Sequence, residues 1–112
     1  MEKLVTELVN VARTERMAVS GAAGNQLEIW VYPRSDMFVL AIGYGPEVVY
    51  PGMAEAVLRR RSSNIARYGS WLPTLFSTGA LYVVQRVENA QDTVEDLPLS
   101  DDELQVALEL MI

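Results

Sequence analysis

Three runs of this sequence alternate as β-strands do, yet are apolar or aromatic on both sides. In Gln26 to Arg34, Leu27, Ile29 and Val31 point one way and Glu28, Trp30 and Tyr32 the other. In Met37 to Tyr44, Met37, Val39 and Ala41 share one side and Phe38, Leu40 and Ile42 the other. In Ala80 to Val87, Leu81 and Val83 alternate with Tyr82 and Val84. An antiparallel sheet with one wet face carries polar residues at every second position. In the first hairpin, Trp30, Tyr32, Phe38, Leu40 and Ile42 stand where such residues would be. Either helices sandwich the sheet, or one face meets a second subunit or a ligand protein.

The remaining segments predict the elements around those strands. Glu2 to about Arg16 reads as an amphipathic helix. Leu4, Leu8, Val11 and Ala12 form its stripe, and Val5 and Val9 widen it. The stripe either covers the core or is left partly open for a partner. Ala18 to Asn25 holds two glycines and a serine and reads as a connection. Pro33 to Asp36 is a turn, Gly43, Gly45 and Pro46 end the second strand, and Glu47 to Tyr50 is a candidate third strand. Pro51 and Gly52 open a central helix traced by Met53, Ala54, Val57, Leu58, Arg61, Ile65 and Tyr68. Its consecutive Arg59, Arg60 and Arg61 spread around the helix, either as a solvated patch or as a clamp for carboxylates. Trp71 to Phe76 and Ala80 to Val87 form a second hairpin about Ser77, Thr78 and Gly79, with Pro73 marking the first of these strands as an edge or as broken.

From Glu88 the chain turns acidic, with Asp92, Glu95, Asp96, Asp101, Asp102 and Glu103, which reads as a solvated tether. The interval from Asp92 to Glu103 has the length of a calcium loop. Val94 at a ligand position and Leu97 in place of the required glycine exclude one. Ser100 to Glu103 then reads as a capping box for a closing helix with Leu104, Ala107, Leu108 and Met111 inward. The expected fold is therefore α+β. It is a single small domain over residues 1–112, with a twisted antiparallel sheet of two hairpins and three helices in the order α-β-β-(β)-α-β-β-α, and it is expected to dimerise.

Composition excludes several kinds of chemistry. The 112 residues contain no histidine and no cysteine, which removes the commonest general base, zinc ligand and thiol nucleophile together. The sole lysine, Lys3, and the pair Ser62 and Ser63 beside arginines offer no nucleophile–base arrangement. No phosphate-binding glycine motif occurs. No enzyme, cofactor or metal is expected. A net charge of −6 speaks against nucleic acid as partner. The opening MEKLVTELVNVARTER lacks the apolar run of a signal peptide, and no stretch is long and apolar enough to insert in a membrane. The expected location is the cytoplasm.

The order of elements and three late stretches carry a resemblance. They are Gly79 to Val87 (GALYVVQRV), Leu97-Pro98-Leu99-Ser100, and Glu103-Leu104 leading into the last helix. With these the chain resembles the class I effector chaperones of bacterial type III secretion systems, the Tir-chaperone family. Two strands are clear before the central helix where that family has three, and Asn64 stands nearest to a polar position at that helix's end. The resemblance implies a small acidic cytoplasmic homodimer linked to virulence, with no catalysis and no cofactor. Val57, Leu58, Ile65, Tyr68, Tyr82 and Val84 would build the dimer interface. Leu4, Val5, Leu8, Trp30, Tyr32, Phe38 and Leu40 would bind the N-terminal segment of a secreted effector in extended form, keeping it export-competent. A heterodimer is the other assembly to consider. The alternative function is an interaction or structural subunit that holds a folded partner on an apolar sheet face.

Overall fold

The computed structural model describes residues 2–88 and 101–111. The elements run α1 (Glu2–Glu15), β1 (Val19–Ala22), β2 (Glu28–Pro33), β3 (Met37–Tyr44), α2 (Met53–Ser63), α3 (Ile65–Tyr68), β4 (Leu72–Leu75), β5 (Leu81–Glu88) and α4 (Asp101–Met111). All five strands join one antiparallel sheet in the order β1-β2-β3-β5-β4. The α+β class is thus as expected. The tether to Ser100, with its cap and the Leu97 to Ser100 stretch, lies outside the described residues.

The third strand before the central helix is β1, in the segment that reads as a connection. Its sequence VSGA has little strand propensity. It forms because α1 lies across it: a Cβ on Gly21 would stand 3.1 Å from a Leu8 methyl and 3.6 Å from one of Leu4. A side chain there would make the Leu8 methyl give by a few tenths of an ångström, so glycine eases the close approach of the helix. Glu47 to Tyr50, the other candidate strand, is turn and irregular chain instead. The central helix starts at Met53, with Gly52 as its N-cap, rather than at Pro51, and it breaks at Asn64. There the Asn64 side chain accepts a bond from the Arg67 amide at 3.4 Å and starts α3.

Register decides which residues share a face. Across β2 and β3, Ile29 opposes Ile42, Val31 opposes Leu40 and Pro33 opposes Phe38, whereas Trp30 opposes Ala41. Across β3 and β5, Ile42 opposes Val83 and Phe38 opposes Val87, whereas Ala41 opposes Val84 and Gly43 opposes Tyr82. The inner face is therefore Ile29, Val31, Phe38, Leu40, Ile42, Leu81, Val83 and Val87. It is buried together with Val5, Val9 and Ala12 of α1, Met53 and Val57 of α2, and Leu104, Val106, Ala107, Leu110 and Met111 of α4. Burying side chains of this size contributes roughly 1.5–3 kcal/mol each before entropy is counted. The centre of the α1 stripe is Val5, Val9 and Ala12. Leu4 and Leu8 flank it, and Val11 stays 48% exposed.

Polar ties seat the helices on that core. Trp71, fully buried, donates its indole N–H to the Glu103 carbonyl at 3.1 Å. Arg60 donates to the carbonyls of Glu109 and Leu110, at 3.3 and 2.7 Å. Those are orphan acceptors at the negative end of α4. Arg61 donates to the carbonyls of Trp71 and Gly69, at 2.9 and 3.0 Å. Arg59 pairs with Glu55 one turn back, and Arg67 with Glu109. The arginine run thus divides its work within the chain, Arg60 and Arg61 on carbonyls and Arg59 on a carboxylate, while Arg67, beyond the run, meets another carboxylate.

Candidate protein-binding face

Helices α1, α2 and α4 pack on the inner face, and α3 packs on α2 and α4. Among the described residues nothing covers the outer one. Strand alternation puts Trp30 and Tyr32 of β2, Val39 and Ala41 of β3, Tyr82 and Val84 of β5, and Leu72 and Thr74 of β4 there. Ala41, Ala80 and Tyr82 form a small buried cluster, with Trp30, Tyr32, Phe76 and Val84 packed half-buried against it. Tyr82 is itself covered, and the other three rings, of Trp30, Tyr32 and Phe76, are half-buried.

Two pairs of rings shape this surface. Trp30 and Tyr32, two residues apart on one strand, stack with centroids 6.0 Å apart and planes 14° from parallel. Phe76 tilts against Tyr82 with centroids 5.1 Å apart. Between them stands Glu28. Its Oε2 accepts from the Tyr82 hydroxyl at 2.6 Å and from the Trp30 indole at 3.4 Å. Tyr82 on β5 reaches Glu28 on β2 by crossing the intervening strand above Gly43, which lies between them in the register. A Cβ on Gly43 would come within 2.1 Å of the Leu81 carbonyl oxygen and 2.9 Å of the Tyr82 ring. Glycine is the residue that permits the crossing. Burial first, and then the bond to Glu28, pushes the Tyr82 phenol up from the ordinary tyrosine value; burial raises Tyr32 as well. The rings, Glu28, Gly45, Pro46, Thr78 and Ala80 line a cleft of about 320 Å³.

The residues expected to bind effector separate. Trp30 and Tyr32 lie on the outer face, half-buried. Phe38 and Leu40 lie on the inner face and are fully buried. They do not join Trp30 and Tyr32, because the β2–β3 register turns their alternation to the opposite side. Val5 is also fully buried, while Leu4 and Leu8 pack half-buried between α1 and β1. The expected dimer residues separate too. Val57 is core, and Tyr68 packs half-buried against the core. Leu58 and Ile65 are 50% and 55% exposed on α2 and α3. Tyr82 and Val84 share the outer face with Trp30 and Tyr32. Four residues drawn from the two sets thus converge on one surface.

The sequence reading missed Glu28, Gly43 and Phe76 as parts of that surface. The signal for Glu28 was its place in the Trp30–Tyr32 alternation, the one acidic side chain on that side of the strand. A second cleft, of about 510 Å³, is lined by Arg13, Arg16 and Arg34 near the end of α1 and the β2–β3 turn. Arg13 there sits 5.8 Å from the centre of the Phe38 ring. Among the described residues no group of acidic side chains is placed to hold a metal ion. No helix among them is long and apolar enough to cross a membrane.

No protein-family model matches the sequence, and no curated protein matches it. A solved structure does match the fold. A chain of the crystal structure of the ExsC–ExsE complex superposes with a TM-score of 0.51 over 99% of this chain and 87% of that one. The two are 13% identical in sequence, so the likeness is one of fold. That neighbour was solved as a complex of two proteins.

Proposed function

We propose that this chain is a non-catalytic chaperone for a type III secreted effector. It works in the bacterial cytoplasm as a dimer and holds the effector's N-terminal segment extended and export-competent. The observation that carries this reading is the outer sheet face, aromatic across β2 and β5 and left open by all four helices. Isolated exposed apolar residues are ordinary; a contiguous patch of half-buried rings around the buried Tyr82, with no helix over it, is a feature of binding surfaces. The fold likeness supports a type III secretion chaperone-like architecture, and the neighbour's being a protein complex fits a partner-binding role.

The sheet also offers edges. β1 and β4 each have one strand neighbour among the described residues. Leu72 and Leu75 of β4 are both well exposed. An extended segment could add main-chain bonds at an edge while its side chains reach the outer face. Pro73 removes one donor from the β4 edge, which limits the length of pairing there.

The test is purification from the native cell, light scattering, and hydroxyl-radical footprinting of the complex. The expected result is a dimer carrying a protein segment that remains unfolded, with Trp30, Tyr32 and Phe76 protected. A monomer with no bound segment contradicts the proposal. A partner that binds only when folded favours the other reading, a subunit whose sheet face is permanently filled.

A further inference from the structure

We propose that the cleft between Glu28 and the rings of Trp30, Tyr32, Phe76 and Tyr82 takes a positively charged side chain, arginine or lysine, from the partner segment. The inference rests on the outer face being where that segment binds, and it adds what the segment must carry. The outer face is aromatic, yet a carboxylate stands at its centre. Tyr82 and Trp30 both donate to Oε2 of Glu28, so they fix the carboxylate's orientation. Oε1 has no donor among the described residues. A partner's N–H group can therefore bond to Oε1 without displacing either ring.

The walls suit a cation as well. The faces of tryptophan and tyrosine rings attract cations, most strongly where water is partly excluded. The Trp30 and Tyr32 rings are nearly parallel, with planes 14° apart, so a planar guanidinium can lie parallel to both. Among the described residues, the partners of the Glu28 carboxylate are Tyr82 and Trp30, not a cation of this chain. Arg86, on the same face, belongs to the row of Tyr32 and Val39, two rows along the strand from Glu28, and its guanidinium lies against Met37. The chain's net charge of −6 adds a longer-range pull on a basic segment. An apolar side chain in the cleft would instead leave the Glu28 carboxylate covered and only partly paired, which is costly.

The test uses two extended twelve-residue peptides, identical except for arginine or citrulline at the centre. Citrulline keeps the shape and loses the charge. The protein has two tryptophans, and Trp71 is buried with its indole bonded to Glu103. Its indole N–H resonance is an internal control for that of Trp30. The expected result is a shift of the Trp30 resonance alone, with the arginine peptide binding about tenfold tighter than the citrulline one. In Glu28→Gln, which can still accept from Tyr82 and Trp30, the ratio should fall to near one. In Trp30→Leu, followed through the amide resonances of β2, it should also fall.

Equal binding of both peptides at Trp30 overturns the cation inference and leaves the extended-segment reading standing. Absence of any Trp30 shift with either peptide also overturns it. The chaperone reading itself is decided separately, by the complex purified from the native cell.

Discussion

Replacing Tyr82 with phenylalanine removes one hydroxyl from the outer face and leaves the ring, its contact with Phe76 and its burial in place. What is lost is the 2.6 Å bond to Glu28. A bond to a charged acceptor is worth about 1.5–3 kcal/mol. Glu28 is half-buried and keeps its Trp30 donor, so the expected cost lies at the low end, about 1–2 kcal/mol. Unfolding entropy near 2.1 cal/mol/K per residue converts that to a fall in Tm of about 4–8 °C for a chain of 112 residues. The alkaline limb of stability should change as well. A phenol whose pKa is raised by folding stabilises the native state while protonated. That contribution is fully present below the unfolded tyrosine value of about 10 and is lost as pH rises through the higher folded value. Tyr82→Phe should flatten this loss, leaving the smaller part of the same sign that Tyr32 contributes. Thermal melts followed by circular dichroism between about pH 7 and pH 11 read both effects. A variant with unchanged Tm and an unchanged alkaline loss would refute the Tyr82–Glu28 bond, and with it the oriented carboxylate.

Gly43→Ala should destabilise by at least about 2 kcal/mol in urea melts, because its Cβ would meet backbone of β5 that cannot move aside cheaply. Arg60→Met keeps much of the side-chain bulk but frees the carbonyls of Glu109 and Leu110; a loss of about 1–2 kcal/mol is expected by chemical denaturation. Trp71→Ala should cost about 3–5 kcal/mol, enough to unfold a marginal domain, read as loss of cooperative melting. Leu58→Lys and Ile65→Lys should each leave monomer stability within about 0.5 kcal/mol. Light scattering on those two variants then tests whether α2 and α3 face a second copy: dissociation places them in the dimer contact, and an unchanged dimer removes them from it.

The faces of each strand were legible in the sequence; their relation to one another was not. Period two sorts Trp30 from Ile29 and Phe38 from Met37, but the phase between strands depends on the turn. Here the Arg34 amide bonds to the Met37 carbonyl at 2.8 Å and sets Pro33 opposite Phe38. One residue of slip would have put Phe38 and Leu40 beside Trp30, as the alternation alone suggested. β1 was invisible for a different reason: a glycine that reads as a breaker sits in a strand, under the Leu8 and Leu4 methyls of α1. The arginine run was open to two readings because sequence shows where the charges lie and not which acceptors tertiary packing brings to them. In α4 the inward residues include Val106 and Leu110 as well as Leu104, Ala107 and Met111. That wider stripe follows from the helix touching β3 and β5 of the sheet and both α2 and α3. The ring cluster with Glu28 was the least legible part, since it joins residues from three separate segments through a hydrogen bond that spans the chain.

Val84→Asp tests the binding face most directly. Val84 is half-buried on the outer face, opposite Ala41 on β3 and Leu72 on β4, and takes no part in the inner core. A carboxylate there should leave circular dichroism near that of the native protein and monomer folding cooperative. It should remove the second copy, the bound protein segment, or both, when the variant is purified from the native cell and sized by light scattering. A folded Val84→Asp protein that still carries its full complex would contradict the assignment of partner binding to this face.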